Sequence, residues 1–288
     1  MIPASFDYTR PSSVEEAVSA LADAGDDAKV ITGGQSLLPL LRVRLAAPSV
    51  LVDCGRIDQM RGVSDEGSSL LIGAATTHHE VMLSPLVREH AALLAAATAT
   101  VADPQIRHRG TFGGSLAHAD PAGDLPTAAL ALECALVIAG PNGRREVAAV
   151  DFFVDYFTTA LAWDEVLVAI RVPKLGAEQG WGFRYEKFNR TAQSWAMVGV
   201  AAAVRRSNGS IGEARIALTN MGPTPLRAPS TEAALAGAAA STDAVATAPQ
   251  HAAEGTTPTS EKHPQADYRE HLARVLTKRA VLAAAGIG

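Results

Sequence analysis

Two short loops of the chain repeat the same residue types, Thr32-Gly-Gly-Gln-Ser36 and Thr111-Phe-Gly-Gly-Ser115. Adjacent glycines allow positive φ angles and let backbone N–H groups converge on an anion with no Cβ in the way. The Thr and Ser hydroxyls at both ends of each loop add further donors. One Gly-Gly pair between a strand and a helix is more often an ordinary turn. Two matching loops favour a shared ligand with two neighbouring anions, which is a pyrophosphate.

Other sequence features narrow the chemistry. Neither loop has the Gly-x-Gly-x-x-Gly or Gly-Lys-Ser/Thr pattern of the commoner nucleotide sites. The segment 102–126 around the second loop is polar and rich in proline, as functional loops often are. Cys54 and Cys134 lie in apolar settings and are interpreted as buried reduced thiols, too few for a four-thiolate iron–sulfur cluster. His78-His79-Glu80 lacks a zinc ligand spacing and is interpreted as a surface helix start.

Alternating and helical apolar patterns predict the elements that position these loops. Ser13-Val-Glu-Glu16 has the pattern of a capping box that starts a helix. The remaining predicted elements before residue 174 are strands at 28–31, 49–53, 69–74, 135–139 and 165–173, and helices at 37–45, 87–101 and 125–132.

The stretch 174–180 has linker composition, and we place a domain boundary there. Three strands are predicted beyond it, at 181–188, 197–205 and 211–219, followed by a helix at 268–285 that covers one sheet face. The segment Thr242 to Gln265 is poor in apolar residues and predicts a mobile loop.

Composition limits the class of protein. The chain has 288 residues, 48% of them hydrophobic, 19% charged, and a net charge of -5. No apolar run reaches the roughly 18 residues that a membrane span requires, and no secretory signal starts the chain. A basic stripe for nucleic acid is missing too. These features predict a soluble cytoplasmic protein that does not bind nucleic acid.

Two stretches carry a family resemblance: Thr32-Gly-Gly-Gln-Ser-Leu-Leu-Pro-Leu-Leu41, and Ala102-Asp-Pro-Gln-Ile-Arg107 followed by Gly110-Thr-Phe-Gly-Gly114. With them, the chain resembles the FAD-binding medium subunits of molybdenum hydroxylases, which include xanthine dehydrogenase and aerobic carbon monoxide dehydrogenase. The resemblance implies an α+β fold. Its FAD-binding domain of the PCMH type would span 1–176, with subdomains of about 1–57 and 58–176. A C-terminal domain at 177–288 would hold a three-stranded antiparallel sheet and helices.

The resemblance also implies which residues contact noncovalent FAD. The two loops would hold the pyrophosphate, Asp124 would accept from a ribose or diphosphate-side group, and Lys187 would lie near the isoalloxazine. Trp195 stands where the family often has a flavin-shielding Tyr, and it is equally compatible with a core position. Lys187 is likewise compatible with a solvated strand edge. The implied set is Thr32, Gly33, Gly34, Gln35, Ser36, Val101, Thr111, Phe112, Gly113, Gly114, Ser115, Asp124, Lys187 and Trp195.

The function implied is electron transfer from iron–sulfur clusters of a partner through FAD to an external acceptor. The partners would be a small iron–sulfur subunit and a large molybdenum subunit, arranged as a dimer of heterotrimers, in the cytoplasm or peripheral at the inner membrane. Carbon monoxide, an N-heterocycle, a purine and an aldehyde are all compatible substrates. Two alternatives are a self-sufficient FAD-dependent oxidase or reductase and a non-redox nucleotide-binding interaction module.

Overall fold

The structure is a computed structural model that describes residues 2–260 and 265–287. The chain begins with a three-stranded parallel sheet in the order β1-β3-β2. The Ser13 hydroxyl accepts the N–H of Glu16 and starts the first helix, which buries Val14, Ala17 and Leu21 against this sheet. The elements are β1 Asp7–Thr9, α1 Val14–Ala24, β2 Ala28–Ile31, α2 Leu37–Arg42 and β3 Val50–Asp53.

A five-stranded antiparallel sheet comes next, in the order β4-β5-β10-β6-β7, with six helices, α3 to α8, inserted in sequence between β5 and β6. Its central strand β10 has five consecutive buried residues, as a strand covered on both faces should. The elements are β4 Val63–Asp65, β5 Ser69–Gly73, α3 His78–Leu83, α4 Pro85–His90, α5 Ala92–Ala99, α6 Pro104–Arg107, α7 Phe112–His118, α8 Asp124–Ala131, β6 Ala135–Gly140, β7 Gly143–Ala148, α9 Ala149–Phe152, β8 Phe153–Asp155, β9 Thr158–Thr159 and β10 Val166–Pro173.

The last part of the chain forms a four-stranded antiparallel meander in the order β11-β12-β13-β14. The elements are β11 Trp181–Phe188, β12 Val198–Ser207, β13 Ser210–Thr219, β14 Leu226–Arg227, α10 Pro229–Leu235, α11 Thr242–Val245 and α12 Ala266–Ala284. Three of these strands are long, as expected, and the fourth has only two residues.

Alternation along the meander buries both of its faces. Tyr185, Ala201 and Ala217 belong to the core shared with the preceding sheets, whereas Val200 and Leu218 belong to a second core under α12. The meander therefore joins the two halves of the molecule.

Several sequence predictions need correction. The helix expected at 87–101 is interrupted between α4 and α5, and the helix expected at 37–45 ends at Arg42. The segment at 242–253 is not a mobile loop, because α11 and a 3-10 helix at Ala248–Ala253 bury Val245 and Ala252 under α12. Residues 261–264 of that prediction lie outside the described residues. The short strands β1, β4, β7, β8 and β9 were not predicted.

Candidate functional site

Folding brings the two glycine loops into direct contact. The first loop follows β2 and the second leads into α7, and the hydroxyl oxygens of Thr32 and Thr111 lie 2.8 Å apart. A Cβ on Gly33 would sit 2.1 Å from the carbonyl oxygen of Arg109. A Cβ on Gly114 would lie 2.7 Å from Oγ1 of Thr111 and 3.2 Å from Oγ1 of Thr32. Glycine at both positions is thus required for the loops to meet.

The first loop leaves its backbone donors available. The N–H groups of Gly33, Gly34, Gln35 and Ser36 donate no hydrogen bond to any other described residue. Gly34 has φ +74°, which reverses the chain tightly. The side-chain amide of Gln35 donates to the Gly33 carbonyl across the turn, at 3.0 Å. Ser36 precedes α2 without making a side-chain cap. Because backbone N–H groups at partly buried positions are almost always paired, this set indicates an absent acceptor.

The second loop is different, because its amides are already used. Phe112 donates to the Thr76 carbonyl at 2.9 Å and Gly113 to the Ala74 carbonyl at 2.9 Å. Gly114 donates to the hydroxyl of Thr111 at 3.1 Å, which makes Thr111 the N-cap of α7. The predicted convergence of free N–H groups is therefore wrong for these residues. The ring of Phe112 is fully buried in the core, while the hydroxyl group of Thr111 borders the junction with the first loop.

A third segment, the turn that ends α5, lies close to the predicted cofactor residues. The Lys187 ammonium donates to the Thr100 carbonyl at 3.1 Å, and the Arg107 guanidinium donates to the Val101 carbonyl at 2.7 Å. Ala102 next to them has φ 40°, an uncommon conformation for a residue with a side chain. Two cations at the C-terminal end of a helix are electrostatically favourable and hold this turn.

Asp124 and Lys187 form a buried ion pair. Their side chains are 3% and 6% exposed, and the Lys187 Nζ lies 2.7 Å from Oδ2 of Asp124. The Tyr185 hydroxyl donates to the other carboxylate oxygen at 2.7 Å. Lys187 is therefore not a solvated edge residue. Asp124 retains further lone pairs for a ligand, so its predicted contact with FAD stays a prediction.

Burial and hydrogen bonding oppose each other at this pair. Burial raises the pKa of the Asp124 carboxyl above its usual range, and the charge and hydrogen bond of Lys187, with the hydrogen bond of Tyr185, act against that rise. Burial and the nearby Asp124 charge raise the pKa of Tyr185 well above its ordinary value. Tyr185 is therefore a neutral donor throughout the physiological range.

An open cleft of about 560 Å³ lies beyond the C-terminal end of α7. Trp195 is 62% exposed on its wall, so the core interpretation of this residue is wrong. Asp120, Arg190 and Asn220 line the same cleft. A seven-residue helix spans about 10 Å. The loop junction lies at the N-terminal end of α7, and the cleft lies beyond its C-terminal end.

His78 also departs from the sequence interpretation. A helix does begin there, with Thr77 and Glu80 forming a capping box, but the imidazole is 5% exposed and lies under Gly110 rather than on the surface. Burial, helped by Arg107, lowers the pKa of His78 to about 4. Sequence reasoning missed His78, Tyr185 and the turn-holding role of Arg107, and only the Tyr185-x-Lys187 spacing on one strand offered a signal.

The chain matches two family models. Residues 4–175 match the FAD binding domain in molybdopterin dehydrogenase, and residues 183–284 match the CO dehydrogenase flavoprotein C-terminal domain. The chain belongs to the family of FAD-binding medium subunits of molybdenum hydroxylases. This membership favours the electron-transfer subunit over both alternative functions.

Individual members of this family are similar to this chain over nearly its whole length. The carbon monoxide dehydrogenase medium chain of Hydrogenophaga pseudoflava is 43% identical over 284 residues, covering 99% of this chain and 98% of the relative. A solved carbon monoxide dehydrogenase from that organism, lacking the Mo-pyranopterin moiety, superimposes with a TM-score of 0.95 at 45% identity and covers 99% of this chain and 98% of its own. Quinoline 2-oxidoreductase from Pseudomonas putida 86 superimposes with a TM-score of 0.94 at 35% identity, covering 99% of both chains.

As a medium subunit, the chain is an α+β flavoprotein and an oxidoreductase component whose cofactor is FAD. No helix in the described part of the chain is long and apolar enough to cross a membrane.

Proposed function

We propose that the junction of the two loops holds the pyrophosphate of FAD and that the isoalloxazine extends toward Val101, Lys187 and Trp195. One observation carries this proposal. The four backbone N–H groups of Gly33 to Ser36 have no acceptor among the described residues, and they lie in the loop whose Thr32 hydroxyl meets that of Thr111. Backbone amides and hydroxyls suit phosphate oxygens. A Cβ on Gly114 would crowd the Thr111 and Thr32 hydroxyls, at 2.7 and 3.2 Å, so glycine keeps both hydroxyls free to meet such a ligand.

The two loops then play unequal parts in binding. The first loop would supply most of the backbone donors. The second would supply the Thr111 and Ser115 hydroxyls and a rigid support, since the amides of Phe112 to Ser115 are bonded within the chain. Gln35 would stabilise the turn through its bond to the Gly33 carbonyl.

The attachment would be noncovalent. Both cysteines are free and buried. Burial raises the pKa of Cys54 to about 12 and that of Cys134 as well, so neither thiol supplies a thiolate at neutral pH.

When bound, FAD supplies the change between two-electron and one-electron transfer that links a substrate-oxidising centre to an acceptor. The chain would orient the flavin and set its potential. Lys187 would place an ammonium near the edge where reduced flavin accumulates negative charge. The Asp124 carboxylate moderates that charge, since the pair is neutral overall.

The partners would be a small iron–sulfur subunit and a large molybdenum subunit, assembled as a dimer of heterotrimers. Support comes from the relatives, which are medium chains of carbon monoxide dehydrogenase and medium subunits of other hydroxylases. Two buried cysteines in this chain cannot hold the clusters themselves. The complex would work in the cytoplasm, or peripherally at the inner membrane, and deliver electrons to an external acceptor.

The test is the visible spectrum of the chain purified with and without its candidate partner subunits, with chromatographic identification of the flavin released on denaturation. Flavin bands and released FAD are expected. Gly114→Val should lose them, because its side chain occupies the junction between Thr32 and Thr111. Gly212→Val is the matched control, at an exposed strand position where an added Cβ meets no atom closer than 3.4 Å. Full flavin occupancy in Gly114→Val would contradict the assignment.

A further inference from the structure

A chain of buried hydroxyl groups connects the FAD-binding domain to the C-terminal meander beside Asp124. The Tyr185 hydroxyl, on β11, donates to Oδ1 of Asp124 at 2.7 Å. The Thr219 hydroxyl, on β13, lies 3.1 Å from the Tyr185 oxygen and 2.7 Å from the Thr127 hydroxyl of α8. All four residues are buried. Among the described residues, no exposed group takes part in this series of hydrogen bonds.

The geometry directs the hydroxyl proton of Tyr185 toward the Asp124 carboxylate. A hydroxyl carries a single proton, and a hydrogen bond to a carboxylate is about twice as strong as one between neutral groups. Because the Tyr185 proton is directed at Asp124, the hydroxyl of Thr219 donates to the tyrosine oxygen from the opposite side, and Thr127 in turn contacts Thr219. A Cβ on Gly199 would lie 2.7 Å from the Tyr185 oxygen, so glycine on the neighbouring strand leaves just enough room for the phenol.

The ionisation of Asp124 depends on few groups. The charged and titratable groups that face it are Lys187 and Tyr185 from β11 and Asp120 from the turn before α8. Burial and the Asp120 charge favour the neutral acid, whereas Lys187 and Tyr185 favour the carboxylate. Within the described residues, Tyr185 and Lys187 are the two side-chain donors to this buried carboxylate, and removing one of them shifts the balance toward protonation.

We propose that Tyr185 is a positioning residue that keeps Asp124 ionised, and that it thereby sets the net charge beside the flavin through the Asp124–Lys187 pair. The effect on the flavin rests on the proposed function, whereas the effect of Tyr185 on the ionisation of Asp124 does not. With Tyr185 present, the pair is neutral. Without its hydroxyl, Asp124 takes up a proton and Lys187 remains as an uncompensated cation, which favours the more negative reduced flavin.

The first experiment compares Tyr185→Phe with wild type by infrared spectroscopy during a pH titration of the purified chain. A protonated carboxyl band is expected at pH 7 in Tyr185→Phe but not in wild type, and the double variant with Asp124→Asn should lack it. Tyr268→Phe is the matched control, since Tyr268 is 44% exposed and its hydroxyl makes no hydrogen bond to a described residue. This measurement requires no bound flavin.

The second experiment measures the FAD midpoint potential of the same variants. Tyr185→Phe should shift it positively by at least about 30 mV near pH 7, equivalent to a tenfold change in the ratio of reduced to oxidised flavin binding constants. The shift should shrink at higher pH as Asp124 ionises. Thr219→Val keeps the Tyr185 hydroxyl but removes its contact with Thr219, together with the Thr219–Thr127 bond, and should shift the potential in the same direction by less.

An unchanged potential across the pH range, or no carboxyl band in Tyr185→Phe, would overturn the inference while leaving FAD binding untouched. A wild-type chain that binds no FAD would instead overturn the proposed function, and the infrared comparison would still decide the role of Tyr185. If Tyr185→Phe fails to fold, Thr219→Val supplies both readouts.

Discussion

The two glycine loops are nearly the same in sequence and opposite in structural role. In the first, the N–H groups of Gly33 to Ser36 donate to no described residue, and Gly34 takes a positive φ over the side chain of Leu38. In the second, Phe112 and Gly113 donate to the 74–76 segment, and a Cβ on Gly113 would lie 2.4 Å from that of Ala74. The first loop is built to bind a ligand, whereas the second is built into the fold.

This difference arises from the helix that each loop leads into and from the residues that each loop packs on. The second loop caps α7 through Thr111 and packs on the residues after β5, so its glycines are set by close backbone approach. The first loop precedes α2 without a side-chain cap and meets the second loop through the Thr32–Thr111 hydroxyl pair. Identical residue types therefore do not imply identical energetics.

The largest effect should come from Gly113→Ala. The new methyl would meet the Cα and carbonyl oxygen of Ala74 at 2.7 Å, and backbone there cannot move without disturbing β5. We expect a loss of about 3 kcal/mol or more in the free energy of unfolding, at the upper end for overpacking. Urea unfolding of the chain measures it. Gly212→Ala, whose methyl would make only ordinary contacts at 3.4 Å or more, should stay near wild type. Equal stability of the two variants would remove the structural role of the second loop.

A comparable effect should come from acidification, through His78. Its folded pKa of about 4 lies below the ordinary value of 6.5, so the unfolded chain binds more protons between these values. Stability is therefore full above about pH 6.5 and falls as pH drops toward 4, by about 3 kcal/mol.

The measurement is urea unfolding of wild type and His78→Gln at several pH values in that window. The variant should lack this part of the pH slope. His271→Gln, at an exposed position, should keep the wild-type slope. Because His78 lies under Gly110, a slope unchanged in His78→Gln would show that the second loop does not depend on a neutral imidazole.

A smaller effect on stability but a large one on FAD is expected for Gly34→Ala. Its φ of +74° costs a residue with a side chain about 1 to 2 kcal/mol, and the nearest atoms belong to the flexible end of Leu38. Gly67→Ala has φ +78° in open space and controls for the strain alone. Both variants should fold with similar stability, and only Gly34→Ala should lose FAD affinity, by tenfold or more in a fluorescence titration. Equal affinities would move the ligand site away from the first loop.

Much of the fold was accessible from the sequence because its signals are local. The Ser13 cap, the alternation of β11 to β13 and the helix at the C-terminus all reflect periodic burial of apolar residues. The segment at 242–253 failed because few of its residues are strongly apolar, yet α12 and α10 cover the small ones. Short strands such as β4 and β8 failed because three residues carry no measurable period.

The features of the candidate site also divide into those with a local sequence signal and those set by tertiary contacts. The two loops were found because glycine pairs mark backbone conformation directly, and the structure does bring them together. The pairing of Lys187 with Asp124 joins residues 63 positions apart, and the burial of His78 depends on the second loop lying over it. Such contacts depend on tertiary packing between residues far apart in sequence, and local sequence patterns do not reveal them.

The smallest effect should come from the hydrogen bond that joins the loops. Thr32→Val and Thr111→Val each remove the 2.8 Å contact between the two hydroxyls, at a cost of about 1 kcal/mol. Thr111→Val should cost about 1 kcal/mol more, since it also removes the N-cap of α7. Urea unfolding of both single variants and the double variant forms a cycle.

The cycle measures the coupling free energy between the two loops. If the contact couples them, the double variant loses less stability than the sum of the single variants, by about 1 kcal/mol. Both hydroxyls also face the proposed pyrophosphate, so FAD affinity should fall in each single variant, including Thr32→Val, whose stability changes least. Strict additivity in stability together with unchanged FAD affinity would mean that the loops merely lie side by side. A non-additive result with weakened FAD binding would mean that the rigid second loop holds the first one ready for its ligand.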